Sequence, residues 1–369
     1  MKHLELKYKI GLTLLKGIGA VKAKQLISFF GSAENIFNEK AKNLKKISGF
    51  PKHISDRVLE ECLIKANEEI KFIEKNNIDY LFYTDKNYPN RLKLCEDAPL
   101  GIFVKGDTQI FNSKKSIAIV GTRNATEYGK KHCEEIVDAL KDYDIVVYSG
   151  LAYGVDICSH QIAVKNEIPT FGVLGHGLDM LYPAVHRDTA VKMIKGGGGL
   201  ITEYFSGSKP DRNHFPERNR IIAGISDATL VIEAGRKGGA LITAEIANSY
   251  NRDVFAVPGR IGDTYSEGCN YLIKTNKAAL VENIDDIVYY TNWEKKNTVT
   301  TTQASLFDFG GVSDEELVLL KILQEKGKIP IDLLCYYSGY DVSKTSMLLL
   351  NLEFSGIIKS LPGKIYCIK

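Results

Sequence analysis

The clearest indication of the fold comes from residues 206–260, SGSKPDRNHFPERNRIIAGISDATLVIEAGRKGGALITAEIANSYNRDVFAVPGR. Apolar runs typical of buried strands alternate here with glycines, arginines and a lysine placed at their ends. In an open α/β sheet, ligands bind beyond the carboxyl ends of the strands, where helix N-termini favour negative charge. The stretch therefore predicts an anion site to which Arg218, Asn219 and Arg220 contribute donors.

Regular alternation of strands and helices continues on both sides of this stretch. Runs with the length and composition of buried strands recur, separated by helical stretches; they are SIAIVG (116–121), DIVVYSG (144–150), PTFGVLG (169–175), LITEY (200–204), ATLVIEA (228–234) and DVFAVP (253–258). We therefore predict an α/β fold with a doubly wound, Rossmann-like parallel sheet. An extended connector, residues 78–109, is predicted to lead onto this sheet, and the domain as a whole to span 76–290.

A helical domain is predicted before the sheet, over residues 1–75. Apolar residues recur there at helical spacing, and short turns that contain glycine interrupt them. The segment LLKGIGAVKAKQL resembles a helix-hairpin-helix of a SAM-like domain, in which the amides of Gly17, Ile18 and Gly19 offer a second phosphate contact. An ordinary tight turn between two helices is the alternative.

A second small domain is predicted at the carboxyl end of the chain. Residues 291–311 are polar and rich in threonine, which indicates a linker, and residues 312–369 have the pattern of three helices followed by a hairpin, as in a winged helix. The surface of the third helix is expected to offer Lys344, Thr345, Ser346 and Asn351. This surface has few cations, so a contact with protein is favoured over DNA reading.

Composition and charge narrow the class of protein. The 369 residues are 44 % apolar and 25 % charged, with a formal net charge of +3. Residues 1–65 alone carry thirteen Lys or Arg and six Asp or Glu, which suits a basic contact domain, although a solvated helical face explains it equally well. Seven scattered cysteines and the lack of an apolar leader or a long apolar run predict a reduced, cytoplasmic protein without a membrane span.

Two strand-to-helix loops are candidates for the anion site. GTRNATEYG, from Gly121, offers the hydroxyls of Thr122 and Thr126 and the guanidinium of Arg123, unless Thr126 simply caps the helix. SGLAYGVD, from 149, places Ser149 and Gly150 at the next strand end. Neither loop has the glycine spacing of a dinucleotide or P-loop site, so no cofactor is predicted.

No confident catalytic set is present in the sequence. Glu203 and Glu233 lie at strand ends, where two carboxylates could perform acid and base chemistry. Glu233 could equally orient Arg218 or Arg220. His160 lies on an apolar helix face and is interpreted as a core residue.

Six motifs in order resemble one known family. They are VGTR (120–123), SGLAYGVD (149–156), VLGHGLDMLYP (173–183), FPERNRIIAGIS (215–226), GGALITA (238–244) and VFAVPG (254–259). The chain is identified as a member of the DprA/Smf family of bacterial DNA-processing proteins. This resemblance implies a homodimeric, cytoplasmic protein without enzymatic activity that binds incoming single-stranded DNA during natural transformation, protects it, and helps to load the RecA recombinase.

The resemblance also implies site residues. The anion pocket of the family falls on Thr122, Arg123, Thr126, Ser149 and Gly150. Lys209 and the segment 215–220 are expected to line the path of the strand, and Phe215 to stack on a base. This chain has Gly-Thr-Arg where Gly-Ser-Arg is common, and it lacks two serine hydroxyls in GGALITA.

An enzyme is the competing interpretation. Rossmann-like nucleotide phosphoribohydrolases of the lysine-decarboxylase-like group share this sheet and carry a PGGxGT loop followed by an acidic residue. The segment GGALITAE supplies Gly238, Gly239 and Glu245 but has Leu-Ile in place of Gly-Thr.

Overall fold

The first five helices form the amino-terminal unit. The computed structural model describes residues 2–296 and 312–368. These helices are α1 (Lys2–Thr13), α2 (Ala20–Phe30), α3 (Ala33–Asn38), α4 (Ala41–Leu44) and α5 (Asp56–Asn76). The hydroxyls of Ser32 and Ser55 cap α3 and α5 by accepting a backbone N–H, which satisfies one of the free amides at each helix start.

A nine-stranded sheet occupies the centre of the molecule. Its strands are β1 (Asp79–Phe82), β2 (Gly101–Gly106), β3 (Lys115–Val120), β4 (Ile145–Ser149), β5 (Thr170–Val173), β6 (Gly199–Thr202), β7 (Ala228–Val231), β8 (Asp253–Ala256) and β9 (Ala279–Leu280). The spatial order is β1-β2-β6-β5-β4-β3-β7-β8-β9. All strands except β1 and β2 run parallel to one another. The predicted doubly wound Rossmann-like sheet is therefore confirmed.

The segment 78–109 differs from the predicted connector. It contributes β1 and β2, which extend the sheet as antiparallel edge strands beside β6. Between them lies the short helix α6 (Asn90–Lys93). The segment therefore belongs to the sheet, and consecutive buried residues in β1 and β2 show that both faces of these strands are covered.

Helices cover both faces of the sheet. They are α7 (Glu127–Ala139), α8 (Val155–Lys165), α9 (Arg187–Lys195), α10 (His214–Ile225), α11 (Gly239–Ser249), α12 (Glu267–Lys274) and α13 (Ile284–Thr291). The helices α7, α8 and α13 bury one apolar cluster with the sheet, and α10 and α11 bury another on the opposite face. In the part of the chain that is described, no helix is long and apolar enough to cross a bilayer.

The carboxyl-terminal unit is a winged helix. It consists of α14 (Asp314–Lys326), β10 (Ile329–Pro330), α15 (Ile331–Ser338), α16 (Val342–Phe354), β11 (Ile358–Leu361) and β12 (Ile365–Ile368). The three strands form an antiparallel sheet in the order β10-β12-β11. Ser313 and Glu316 form a capping box at the start of α14. The predicted three helices and hairpin are confirmed.

The winged helix packs on the amino-terminal unit. Its helix α15 contacts α2. The hydroxyl of Tyr337 donates to the carbonyl of Thr84 at 2.9 Å. The ammonium of Lys326 lies 5.3 Å from the centre of the Tyr337 ring. The winged helix therefore contacts both helix α2 and the turn that follows β1.

Candidate nucleic-acid interface

The strand order places a crevice between β3 and β7. Successive strands run from β3 to β6 in one direction, and the chain then returns to add β7 on the other side of β3. Such a reversal leaves a crevice at the carboxyl ends of the two central strands. Here it has a volume of about 990 Å³, and we call it the switch-point crevice; its lining includes Thr122, Arg123, Arg212, Phe215, Arg236 and Lys237.

The loop after β3 has a fixed backbone. The N–H of Thr122 donates to the carbonyl of Glu233 at 2.7 Å, and its own carbonyl accepts from Val155 at 3.2 Å. Gly154 has a φ of +78°, and a Cβ there would lie 2.2 Å from the Thr122 carbonyl oxygen. Glycine is needed because no side chain fits this approach. The packing holds Arg123 at the mouth of the crevice.

The exposed Arg123 and the half-buried Phe215 lie beside each other in the lining of the crevice. The Arg123 guanidinium lies 5.6 Å from the centre of the Phe215 ring, which is a cation–π distance. The ring of Tyr182 lies 6.1 Å from that of Phe215. A half-buried ring whose face lines a crevice beside an exposed cation can stack on a base while a phosphate meets the guanidinium.

Thr126 caps a helix, and its hydroxyl and backbone N–H are both taken by a protein carboxylate. Its hydroxyl donates to the Glu233 carboxylate at 2.5 Å and accepts from the N–H of Gly129 at 3.2 Å. Its backbone N–H donates to the other Glu233 oxygen at 2.9 Å. Of the two alternatives, the helix cap is the one that the structure shows, and Glu233 orients Thr126 instead of an arginine.

Ser149 and Gly150 are enclosed by protein. The Ser149 hydroxyl donates to the carbonyl of Ile119 at 2.6 Å and is fully buried. The N–H of Gly150 donates to the Asp156 carboxylate at 3.1 Å. The donors expected for a phosphate thus serve protein acceptors. The sequence indicated hydrogen-bond donors at the end of this strand, but it did not show that the carboxylate of Asp156 accepts from one of them.

Arg218 is buried beneath the crevice. Its guanidinium donates to the carbonyl of Val173 and is close to Asp156. Burial lowers the pKa of Arg218 to about 10, and the Asp156 carboxylate opposes that shift. Burial raises the pKa of Asp156, against the opposing effect of Arg218. Arg218 therefore supports the ends of β4 and β5 from within the protein. Its guanidinium is buried and is not exposed for a direct contact with phosphate.

Asn219 and Arg220 also have protein partners. The amide of Asn219 is buried and donates to the carbonyl of Gly239 at 3.3 Å. Arg220 forms an ion pair with Glu203 and donates to the carbonyl of Asp97 at 2.8 Å. The prediction that Arg220 shares a crevice with Arg123 is wrong. Two residues along a helix turn through about 200°, so Arg220 lies nearly opposite Arg218 on α10.

Three cations of the crevice escaped the sequence interpretation. Arg212, Arg236 and Lys237 are exposed lining residues. Within residues 2–296 and 312–368, no ion pair involves them or Arg123. Their position in the sequence could have indicated this role for Arg236 and Lys237, since both lie in the loop between β7 and α11. Lys209 is exposed in the loop after β6, outside the lining of the crevice.

The other predicted contacts lie elsewhere. Gly17 has a φ of +85°, Ile18 is buried, and Gly19 is the N-cap of α2, where no side chain caps the helix. Their contact with phosphate stays a prediction. On α16, Thr345 is buried, which corrects its expected exposure, and Lys344 pairs with Glu315 at 2.7 Å.

The fold and the crevice define a Rossmann-like α/β protein that carries a winged helix and an exposed cationic site at the switch point of its sheet. Comparison with known proteins specifies the family. The family model described as DNA recombination-mediator protein A matches residues 79–292, and that of the DprA winged helix domain matches residues 308–364. The chain belongs to the DprA/Smf family.

Individual relatives agree with this assignment. Protein Smf of Synechocystis is 35 % identical over 281 residues, which are 74 % of this chain and 69 % of that protein. The X-ray structure of DprA from Streptococcus pneumoniae covers 78 % of this chain and 96 % of its own, with 32 % identity and a TM-score of 0.63. A structure of DprA from Helicobacter pylori, described for its single-stranded DNA binding mode, covers 59 % and 97 %, with 27 % identity and a TM-score of 0.53.

Proposed function

We propose that this protein binds single-stranded DNA in the switch-point crevice. The observation that carries the proposal is that the half-buried ring of Phe215 lines the crevice together with four exposed cations, Arg123, Arg212, Arg236 and Lys237, which have no acidic partners among the described residues. Cations in a groove follow a phosphate backbone, and an aromatic face stacks on any base. The H. pylori relative, whose structure is described for single-stranded DNA binding, supports this assignment.

The wider role follows from the family. We infer that the protein acts in DNA processing during natural transformation, where it protects incoming single strands and helps to load RecA, as a homodimer in the cytoplasm. The relative from S. pneumoniae carries the name DNA processing protein, which supports the first part. The domain plan that serves this role has a helical unit at 1–75, the DNA-binding sheet at 76–290, a linker at 291–311 and the winged helix at 312–369.

The winged helix is proposed to contact protein rather than DNA. Its helix α16 exposes Met347, Leu350 and Phe354, which follow one another at helical spacing. Lys344, the cation of this helix, already pairs with Glu315. An exposed apolar row with an engaged lysine suits a protein partner better than a phosphate backbone.

We propose no catalytic step for this site. In phosphoribohydrolases an acidic residue follows the glycine loop, and the corresponding Glu245 is exposed here and pairs with Lys277 at 3.0 Å. It is not among the residues that line the crevice. We expect no release of free base from nucleoside monophosphates, measured by chromatography. Release at turnover rates that Glu245→Gln abolishes would replace the binding function with an enzyme.

A mobility-shift experiment tests the binding function. Single-stranded and double-stranded oligonucleotides of equal length are titrated at several salt concentrations, with adenosine monophosphate as a competitor. We expect a preference for single strands, an affinity that falls steeply with salt, and little competition by the mononucleotide. Competition by the mononucleotide at equal phosphate concentration would contradict a site that follows a polymer.

A further inference from the structure

Two acid-free segments of the helical unit carry most of its excess charge. Residues 6–33 and 40–55 contain ten lysines and no aspartate or glutamate. By contrast, the lysines of α5 alternate with glutamates along the same helix. The positive charge of this unit is therefore concentrated rather than spread over its surface.

The fold brings the two segments together at the turn before α2. The His53 ring nitrogen Nε2 lies 3.1 Å from the carbonyl of Lys16. Lys22 donates from its ammonium to the carbonyl of Ser48. A Cβ on Gly17 would lie 3.2 Å from the ring of Pro51, so the second segment packs directly against the turn. One continuous surface results from segments that are separate in sequence.

This surface exposes a group of unpaired cations. We call it the lysine face; it consists of Lys16, Lys22, Lys45, Lys46 and Lys52. Lys22 is half-buried and the other four are exposed. In the described parts of the chain, none of the five takes part in an ion pair. Elsewhere in the same unit, Lys9 pairs with Glu5 and Asp85, each at 2.6 Å.

We propose that the lysine face binds the phosphate backbone of DNA without regard to sequence, as a contact separate from the switch-point crevice. Lysines are point charges that suit phosphates, and base reading would require planar or aromatic side chains that this group lacks. No side chain caps the amino end of α2 at Gly19, so free backbone amides of the first turn lie close to Lys22. The lysine face lies on a different unit, so the contact does not depend on DNA binding in the crevice.

The test removes three lysines from the full-length protein. The variant Lys45→Ala/Lys46→Ala/Lys52→Ala is compared with Lys65→Ala/Lys71→Ala/Lys75→Ala, which removes the same charge from exposed positions of α5. For a 60-nucleotide single strand, we expect the first variant to make the slope of log affinity against log salt shallower by about 2, at about 0.7 per phosphate. Affinity at 0.1 M salt is expected to fall on the order of 10- to 100-fold. The α5 variant is expected to change affinity less than about 3-fold.

An equal loss in both variants would overturn the proposal, because it would reflect net charge alone. A preference of the lysine face for vesicles of phosphatidylcholine and phosphatidylserine over DNA, lost in the first variant, would overturn it in favour of a membrane surface.

Hydrogen exchange locates the contact independently of the crevice. We expect DNA to slow exchange of the amides at 16–22 and 45–53 in the wild type and in an Arg123→Ala/Phe215→Ala protein. Slowing in the wild type that is absent from the crevice variant would show that these amides respond only to the crevice, and it would overturn the separate contact. Failure of the crevice alone would leave the slowing at 45–53 intact.

Discussion

Replacing Arg123 by alanine isolates the contribution of one crevice cation. The side chain is exposed, and its guanidinium lies 5.6 Å from the centre of the Phe215 ring. A cation–π contact at an exposed site contributes about 0.5–1 kcal/mol. The free energy of unfolding should therefore change by less than about 1 kcal/mol, because no buried group loses a partner.

The effect on DNA binding follows from counterion release. If each of the four crevice cations neutralises one phosphate, log affinity falls against log salt with a slope of about −2.8 for a single strand. Arg123→Ala should give about −2.1. Between 50 and 200 mM salt, the wild type should lose about 50-fold in affinity and the variant about 20-fold.

Fluorescence anisotropy with a labelled 20-nucleotide strand at five salt concentrations measures these slopes. Lys165→Ala is the control. Lys165 ends α8 just before β5, so it lies near the amino ends of the parallel strands, and the crevice lies at their carboxyl ends. An unchanged slope for Arg123→Ala would refute the phosphate contact. So would a sharply lower melting temperature combined with normal binding of the folded variant, because the arginine would then be structural.

Two further substitutions test the stacking site and the core. Phe215→Ala should weaken single-strand binding by about 1–3 kcal/mol while leaving the salt slope unchanged, measured in the same titrations; a shallower slope would mean that the ring mainly positions Arg123. Burial lowers the pKa of His160 to about 3 from 6.5, so the unfolded state binds more protons between these values. Stability should be complete above pH 6.5 and fall on acidification by up to about 1.4 kcal/mol per pH unit. Urea unfolding of His160→Gln should show a weaker dependence between pH 7 and 5, and an identical dependence would assign the acid sensitivity to other groups.

The tautomer of His160 agrees with that pH dependence. The Thr170 hydroxyl donates to the carbonyl of Val147 at 3.0 Å, so it accepts from Nδ1 of His160 at 2.7 Å. Nε2 then carries a lone pair, and it is buried without a hydrogen-bond partner among the described residues. A proton there would place an unpaired charge in the core.

The sequence predicted the sheet and the winged helix because their signals are local. Apolar runs of strand length and the capping residues at Ser313 and Glu316 are visible without knowledge of distant contacts. The edge strands β1 and β2 were missed, since their pairing joins residues about twenty positions apart around a short helix. The strand β10 has two residues and contains Pro330, which leaves almost no pattern to detect.

The site was predicted by region and less well by residue. The FPERNR segment was expected to point its polar side chains at one ligand, yet helical rotation sends Arg218 and Arg220 to different sides of α10. That separation could have been anticipated from the 3.6-residue repeat. The partner of Thr126 could not, because Glu233 lies 107 residues away in sequence.

Because the strand order reverses between β3 and β7, the position of the binding site and its ligand preference have different structural origins. Topology fixes the location of the cleft, and the residues after the strands supply its chemistry. Substitutions in those loops can thus retune ligand preference without rebuilding the sheet. Substitution is restricted at Gly154, because a larger residue there would collide with the backbone of Thr122 and Arg123. Arg236 and Lys237 are exposed, so a substitution at either position meets no such steric limit.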